Sequence, residues 1–580
     1  MSRMPNLRIV AALLAAGVAV FMALFGTKFI DTDVYRMRDS FRDTLSHYNF
    51  DISQLTLPQW QVFNYFDNLF ESSRHIFESK DFKVGVELAE QGYRPEFPVI
   101  MLPGIVSTGL ESWSTAEDDA SFFRQRLWGS SSMFRFLLLD KQKWVKHMKL
   151  DPVTGVDPEG VKVRAAEGLD AASYFAAGYW VWNRIIQNLA AVGYDVNMMS
   201  LASYDWRLSM YNLEVRDHFF SRLQYMFERN LHVHGKKTVL LVHSMGGTVG
   251  YYFLKWVENR AGAAWIDKHI EALTLIAGTM LGVPKSMAAL STGEVRETVA
   301  VPQTLSHLFE IFMNADERAP VFRSWAGSAS LIPMGGETIW GNLTWAPDDR
   351  IGSNETFGSF FDYKHSAHRR HMNISESIQW LSKHAPETYG KMLASNYSRG
   401  FERNPRQIAR NNKDHTKWTN PLETSLPKTP NMKIYCIYGY GKPTERGYYM
   451  RDNPLPNQTH LHSRIDTSVE RIGGPYNISS GCKDGEGDGT VALLSLGSVC
   501  TGAWQQPRYN PGNTPVTVHE ILHQPDVLDL RGGEGTGDHV DILGSRFLNE
   551  AVVKIATGHG SEVRNHYVSP IREYSARINW

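Results

Sequence analysis

The chain has 580 residues, and its 60 basic and 61 acidic side chains leave a formal net charge of −1 at pH 7. Nucleic-acid binding needs an excess of basic residues, so this balance argues against a nucleic-acid partner. With 42% hydrophobic and only 21% charged residues, the composition argues against an intrinsically disordered chain. Three cysteines are too few for a disulfide scaffold, although they allow one bridge.

An apolar segment near the amino terminus is the first predicted element. Residues 9–27 carry no charge, and a membrane-spanning helix needs about 20 apolar residues. A cleaved signal peptide is the alternative, but its apolar region has only about 7–15 residues and ends in a small-x-small site, which Ala23-Leu24-Phe25 does not supply. We therefore predict a short tail over 1–8, a transmembrane anchor over 9–27, and a linker with a helical lead-in over 28–95.

Two signals disagree on which side of the membrane the body lies. More lysines and arginines follow the apolar segment than precede it, which favours a cytosolic body. Six Asn-x-Ser/Thr acceptors for N-glycosylation are confined to residues 342–479, which favours the lumen of the secretory pathway. These acceptors are Asn342, Asn354, Asn373, Asn396, Asn457 and Asn477. We predict the lumenal orientation, against the lysine and arginine count.

Helix and strand patterns alternate in the first half of the body. A short apolar run over 97–102 ends at Pro103-Gly104 and predicts a buried strand followed by a turn. The next predicted elements are helix 171–192, strand 194–199, helix 212–230, strand 238–242, helix 247–259 and strand 272–277. This alternation predicts an α/β fold with a mostly parallel central sheet and helices on both faces.

The alternation breaks in the middle of the chain. Residues 285–430 are rich in Trp, Gly, Asn and Pro, and we predict that they form a large cap insertion. A strand pattern resumes at 433–438, and 540–557 predicts a last amphipathic helix. The core is therefore predicted in two parts, 96–284 before the cap and 431–580 after it.

The strongest chemical signal is the run 238–247, an apolar strand followed by His-Ser-Met-Gly-Gly and then a helix. A nucleophile elbow requires this strand–turn–helix context, and its crowded turn needs a small residue such as Gly246. Val242 occupies the first position of the Gly-x-Ser-x-Gly motif, so the motif is incomplete and an ordinary turn is the alternative. Ser244 is the predicted nucleophile.

A serine nucleophile needs a base held by a carboxylate, and in this fold both follow the serine along the chain. Asp488 lies in a glycine-rich loop, for which a plain turn is the alternative; a calcium loop is excluded because no Glu closes it at the required spacing. His539 precedes the last predicted helix, and His523 is a rival in a similar loop. Order and context favour Ser244, Asp488 and His539 as a catalytic triad, with no metal and no cofactor.

Backbone N–H groups must also stabilise the oxyanion that develops when such a serine attacks an ester. Met245 directly follows the nucleophile. Ile105 follows Pro103-Gly104, where the glycine lets the backbone approach the reacting group. We predict the amides of Ile105 and Met245 as the donors, with an ordinary turn at Ile105 as the alternative.

Seven segments, in consistent order over roughly residues 95–560, carry a family resemblance. They are Met101–Trp113 (MLPGIVSTGLESW), Arg126–Ser130 (RLWGS), Tyr204–Arg207 (YDWR), Val242–Gly246 (VHSMG), Tyr435–Gly439 (YCIYG), Gly487–Val491 (GDGTV) and His539–Ile542 (HVDI). They resemble the phospholipid:diacylglycerol acyltransferases, which belong to the lecithin:cholesterol acyltransferase group of α/β-hydrolases. The resemblance implies an α/β-hydrolase fold and acyl-CoA-independent transfer of an acyl chain from a phospholipid to diacylglycerol, giving triacylglycerol and lysophospholipid. It also implies an enzyme anchored in the endoplasmic reticulum membrane, with its catalytic body in the lumen and in contact with the bilayer.

The resemblance also carries family roles to matching residues. It implies the same triad and the same two oxyanion amides, with an acyl-enzyme formed on Ser244. It implies a disulfide between Cys436 and Cys500, which leaves Cys482 free and needs an oxidising lumen. The wider group has a second disulfide in its lid, whereas the corresponding loop here, 106–135, has no cysteine.

We predict that this loop forms a lid in which Trp113, Arg126, Leu127 and Trp128 contact lipid, with ordinary core packing as the alternative. Arg126, Trp128 and acids such as Glu117 are predicted to hold the lid in place of the second disulfide. The YDWR segment is predicted to be a structural ion pair and packing element rather than a binding site.

Two other functions compete with acyl transfer to diacylglycerol. A lumenal phospholipase A or a sterol acyltransferase would use the same triad, because acceptor choice depends on the shape of the pocket. A non-catalytic lipid-binding protein on the same fold is the second rival, and the presence of all three triad residues argues against it.

Overall fold

The computed structural model describes residues 82–580, with gaps at 131, 134–135, 138–139, 177–178, 300–312, 367, 455–460, 527–528 and 530. The predicted tail, the predicted anchor over 9–27 and most of the predicted linker lie outside the described residues. Within the described part of the chain, no helix is both long enough and apolar enough to cross a membrane.

The strands and helices are numbered in chain order. The strands are β1 (Val99–Leu102), β2 (Leu110–Ser112), β3 (Arg126–Trp128), β4 (Val163–Ala165), β5 (Tyr174–Ala176), β6 (Tyr179–Trp180), β7 (Met199–Leu201), β8 (Thr238–His243), β9 (Ile270–Ile276), β10 (Phe361–His365), β11 (His368–Met372), β12 (Lys433–Tyr440), β13 (Thr444–Asp452), β14 (Ser463–Ile465), β15 (Ile478–Ser479), β16 (Cys482–Gly485) and β17 (Val516–Leu522). The α-helices with defined bounds are α1 (Lys83–Glu90), α2 (Lys141–Met148), α3 (Asp170–Ser173), α4 (Asn183–Ala191), α5 (Met210–Asp217), α6 (Phe219–His234), α7 (Met245–Ala261), α8 (Ala263–His269), α9 (Pro284–Thr292), α10 (Arg296–Val299), α11 (Ala315–Ser324), α12 (Ala326–Ala329), α13 (Gly336–Trp340), α14 (Ile374–His384), α15 (Glu387–Asn396), α16 (Pro405–Asn411), α17 (Leu493–Thr501), α18 (Arg546–Ala556) and α19 (Ile571–Arg577).

A six-stranded parallel sheet, in the order β17-β12-β9-β8-β1-β7, forms the centre of the molecule. Alternate residues of its strands pack into two separate cores. In β1, for example, Val99 and Met101 face the core that contains α1, α4 and α18. Ile100 and Leu102 face the core that contains α6, α7 and α17. Because both faces of the inner strands are covered, these strands are mainly apolar, which is why β1 and β8 appear as continuous hydrophobic runs in the sequence.

The sequence patterns located most of this sheet but misplaced four elements. The predicted last helix 540–557 begins only with α18, and α19 follows it in the chain. The predicted helix 171–192 is wrong over its first half, where α3 is followed by the β5–β6 hairpin, because its aromatic residues pair across two short strands. The predicted strand 194–199 is displaced toward the carboxyl terminus, because β7 begins only at Met199; before it, the Asp195 carboxylate accepts the Asn197 amide and holds a turn. The predicted helix 212–230 is two helices, α5 and α6, which meet at His218 with φ of 50°.

A second sheet is separate from the central one. Its strand order is β11-β10-β13-β16-β15, and β14 pairs with β13. Its hairpin β10–β11 comes from the segment 285–430, which we predicted as the cap. Its remaining strands follow β12 in the chain. A third, small sheet of β3, β2 and β4 takes β2 and β3 from the segment 106–135, which we predicted as the lid.

Candidate active site

Ser244 lies in a sharp turn between the end of β8 and the start of α7. Its backbone has φ of 56° and ψ of −126°, a conformation that costs free energy for any residue with a side chain. Gly246 makes the turn possible, because a Cβ at this position would lie 2.6 Å from the Leu102 carbonyl oxygen and 2.7 Å from that of Pro103. The strand–turn–helix context that the sequence predicted is therefore present, and the turn places Ser244 at the carboxyl end of the central sheet.

Two hydrogen bonds connect Ser244, His539 and Asp488. The Ser244 Oγ hydroxyl lies 2.9 Å from His539 Nε2. His539 Nδ1 donates to Asp488 Oδ2 over 2.7 Å. The three side chains are at most 6% exposed. This is the geometry in which an imidazole, oriented by a carboxylate, removes the proton of a serine hydroxyl.

The loop that carries Asp488 is held from several sides. The second carboxylate oxygen of Asp488 accepts the amides of Thr490 at 3.0 Å and Val491 at 2.7 Å. The disulfide between Cys436 and Cys500 joins β12 to α17, and α17 begins directly after this loop. These contacts keep the carboxylate oriented toward the imidazole. Cys482 is the free, buried thiol, as the family resemblance implied.

His539 is also held through its backbone, by a contact that the sequence did not reveal. His243 Nε2 donates to the His539 carbonyl oxygen over 2.8 Å. Burial, and then the neighbouring His539, lower the pKa of His243 to about 3, so this side chain is neutral at physiological pH. Its place directly before Ser244 was the available signal, but the pattern could not show which group it would contact. The rival residue His523 accepts the Gly537 amide at 3.0 Å and is not part of the triad.

Asp538, the residue before His539, carries a charge that helps to hold the His539 loop. Asp538 forms an ion pair with Lys442. Burial alone would raise the pKa of Asp538, but the charge of Lys442 and the backbone amides that it accepts outweigh burial and hold the pKa below its ordinary value. The loop before His539 is therefore tied to the turn after β12 by a charged pair.

The two predicted oxyanion amides flank the nucleophile. Met245 is the first residue of α7, so its N–H has no acceptor within the helix. The loop that contains Ile105 lies close to Ser244. A Cβ built on Gly104 would be only 2.8 Å from Ser244 Cβ. Among the described residues, neither amide donates to a protein acceptor. Both are thus available to a negatively charged oxygen formed at Ser244.

The predicted lid residues occupy different environments. Leu127 is fully buried in the core, and Trp128 is partly buried with its indole N–H donating to the Val106 carbonyl at 2.7 Å. The guanidinium of Arg124 lies over the Trp113 ring, with its Cζ atom 4.5 Å from the ring centre. Arg126 Nη2 lies 3.8 Å from Glu111 Oε1, so the acid that pairs with this lid arginine among the described residues is Glu111, and the prediction of Glu117 was wrong.

The predicted glycosylation acceptors also differ in accessibility. Asn354 and Asn477 are exposed, whereas Asn342 and Asn396 are half-buried. Asn373 is buried at the start of α14, where its side chain accepts the Glu376 amide and donates to the Glu337 carboxylate. Asn457 lies outside the described residues.

Comparison with known proteins identifies the family. The family model described as lecithin:cholesterol acyltransferase matches residues 122–546. A phospholipid:diacylglycerol acyltransferase of Schizosaccharomyces pombe is 45% identical over 503 residues, covering 86% of this chain and 78% of that protein. The enzyme of the same name from Saccharomyces cerevisiae is 35% identical, covering 94% of this chain and 85% of its own length. Phospholipid:diacylglycerol acyltransferase 1 of Arabidopsis thaliana is also 35% identical, covering 85% of both chains. These matches confirm the resemblance that the motifs carried, and the chain belongs to the lecithin:cholesterol acyltransferase family.

Proposed function

We propose that the protein transfers an acyl chain from a phospholipid to diacylglycerol, releasing lysophospholipid and forming triacylglycerol without acyl-CoA. The observation that carries this proposal is the hydrogen-bonded chain from Ser244 through His539 to Asp488, in a sequence 35–45% identical to enzymes named for that reaction. The fold assigned with it is that of an α/β-hydrolase, which the parallel sheet and the elbow support.

The first half of the reaction forms the acyl-enzyme. His539 Nε2 takes the Ser244 proton as Oγ attacks the ester carbonyl of the phospholipid, and Asp488 stabilises the imidazolium that results. The amides of Ile105 and Met245 stabilise the negative charge on the carbonyl oxygen. His539 then returns the proton to the leaving oxygen, so lysophospholipid departs and the acyl chain remains esterified to Ser244.

The second half repeats these steps with another nucleophile. A diacylglycerol hydroxyl gives its proton to His539 and attacks the acyl-enzyme, and triacylglycerol leaves. Water would compete for the same intermediate, so transfer requires a site that excludes it. The burial of all three triad side chains supports this requirement. We assign the lid role to 106–135, with Trp113, Arg126 and Trp128 as its lipid-facing or lid-holding residues, whereas the fully buried Leu127 packs in the core.

We further propose that the enzyme is a single-pass protein of the endoplasmic reticulum membrane, with its catalytic body in the lumen. The disulfide between Cys436 and Cys500 supports an oxidising compartment. Exposed acceptors at Asn354 and Asn477 are compatible with lumenal glycosylation. The apolar run over 9–27 has the composition of an anchor.

The test is a transfer assay in vesicles that contain a phospholipid with a labelled acyl chain. With diacylglycerol present, we expect label in triacylglycerol, and Ser244→Ala should abolish it while the protein remains folded. Free fatty acid as the main product in the presence of diacylglycerol would instead assign a phospholipase A. Label that appears only when a sterol is added would assign a sterol acyltransferase.

A further inference from the structure

The YDWR segment contacts the predicted oxyanion loop. Tyr204 Oη donates to the Pro103 carbonyl oxygen over 2.8 Å. The indole N–H of Trp206 donates to the Thr108 carbonyl oxygen over 3.0 Å. Both rings are at most 1% exposed, so neither donor can exchange its partner for water. The two hydrogen bonds therefore fix both ends of the loop that contains Ile105.

The other two residues of the segment hold it in place. Arg207 donates to Asp205 at 2.9 and 2.7 Å and to Asp157 at 3.0 Å, and Arg216 bridges the same two carboxylates. Burial would raise the pKa of Asp205, but the two arginines outweigh it and hold the pKa well below its ordinary value. The Asp205 carboxylate stays charged. The ion pairs of Asp205 and Asp157 with Arg207 and Arg216 therefore hold the backbone of the YDWR segment in place.

The middle of the loop is strained and is held by a third aromatic donor. Val106 has φ of 56°, which is unfavourable for a β-branched residue. Its carbonyl accepts the Trp128 indole N–H at 2.7 Å, and the Trp128 ring lies 5.2 Å from that of Trp206. A strained backbone persists only when its surroundings hold it. The strain lies directly beside the Ile105 amide, so the position of that amide depends on these contacts.

We propose that Tyr204 and Trp206 are positioning residues for catalysis, which set the Ile105 amide at the distance that the oxyanion requires. This inference rests on the proposed function, in which the Ile105 amide stabilises the oxyanion. A lost or displaced donor lowers the rate of the chemical step far more than it lowers substrate binding, because the oxyanion exists only in the transition state and intermediate. The segment that we predicted to be only structural thus acts on catalysis through the loop.

The test uses Tyr204→Phe in the full-length chain, with active sites counted by fluorophosphonate labelling carried to completion. We expect kcat per labelled site to fall at least about tenfold, with KM for the phospholipid unchanged within about twofold. Trp206→Phe should give the same pattern and is the second variant. The kcat and KM are measured on vesicles with and without diacylglycerol, so the outcome does not depend on which acceptor is used.

Tyr194→Phe is the matched control. Tyr194 is also buried, and its hydroxyl lies 2.9 Å from the carbonyl oxygen of Phe97, just before β1, and 2.7 Å from that of Ala556, at the end of α18. It should lose stability as Tyr204→Phe does and keep the wild-type kcat. Equal kcat values for the two variants would overturn the positioning role. A wild-type protein that fluorophosphonate fails to label would overturn the proposed function instead.

Discussion

The close approach at Gly246 provides a sharp test of the elbow. In Gly246→Ala, the new Cβ would lie 2.6 Å from the Leu102 carbonyl oxygen and 2.7 Å from that of Pro103. Ordinary contact begins at 3.4 Å, so backbone must move by about 0.7–0.8 Å at the end of β1. Pro103 leads into the predicted oxyanion loop, and a misplacement of about 1 Å in an active site costs roughly 100-fold in rate. We therefore expect kcat per active site to fall by about that factor.

Gly250→Ala is the control on the same helix. Its Cβ would meet a side-chain methyl group, Val242 Cγ1, at 3.1 Å, which can shift by a few tenths of an ångström. Both variants gain roughly 1 kcal/mol of helix propensity. Against this gain, we expect overpacking at Gly246 to cost about 1–3 kcal/mol, so that variant is at best neutral in stability.

The assay is turnover of labelled phospholipid, normalised to sites labelled by fluorophosphonate, with the free energy of unfolding measured by urea denaturation. Gly250→Ala should keep wild-type activity, with a free energy of unfolding between the wild-type value and roughly 1 kcal/mol above it. A Gly246→Ala protein with kcat within threefold of Gly250→Ala would refute the reasoning, since it would show that the elbow tolerates the displaced carbonyls.

Three further predictions concern the triad, its neighbour and the glycans. Asp488→Asn should lower kcat by about 10⁴-fold with little change in KM, because the amide favours the wrong imidazole tautomer; a loss below tenfold in single-turnover experiments would contradict this role. In the folded protein the pKa of His243 is lowered from 6.5 to about 3. As the pH falls from 6.5 toward 3, the unfolded chain therefore takes up a proton that the folded protein does not, and the free energy of unfolding decreases. His243→Gln should reduce the dependence of the unfolding free energy on pH by up to about 1.4 kcal/mol per pH unit, measured by urea denaturation at pH 4 to 6. An unchanged pH dependence would exclude a neutral, buried His243. On expression in a secretory system, Asn354→Gln should lose one endoglycosidase-sensitive mobility shift; Asn373→Gln should lose none, and a shift lost there would show that the buried amide is modified.

The sequence determined the elements whose signals are local. The strand β8, the turn at Ser244 and the start of α7 were predictable because a buried apolar run, a tight turn and a glycine lie within a few residues of one another. The parallel sheet followed from the alternation of such runs with helical patterns. The family motifs also carried the disulfide between Cys436 and Cys500, which joins residues too far apart in the chain for local pattern to pair.

Contacts between distant segments became visible only in the folded chain. Nothing near His243 in the chain shows that it holds the His539 carbonyl, and nothing near Arg126 distinguishes Glu111 from Glu117 as its partner. The YDWR pattern indicates a packing element, and only the fold shows that its Tyr204 hydroxyl and Trp206 indole N–H donate to carbonyls of a loop that lies 101 and 98 positions earlier in the chain. Local sequence fixes backbone preference and burial, but the partner of a buried polar group is fixed by which segments the fold brings within hydrogen-bonding distance.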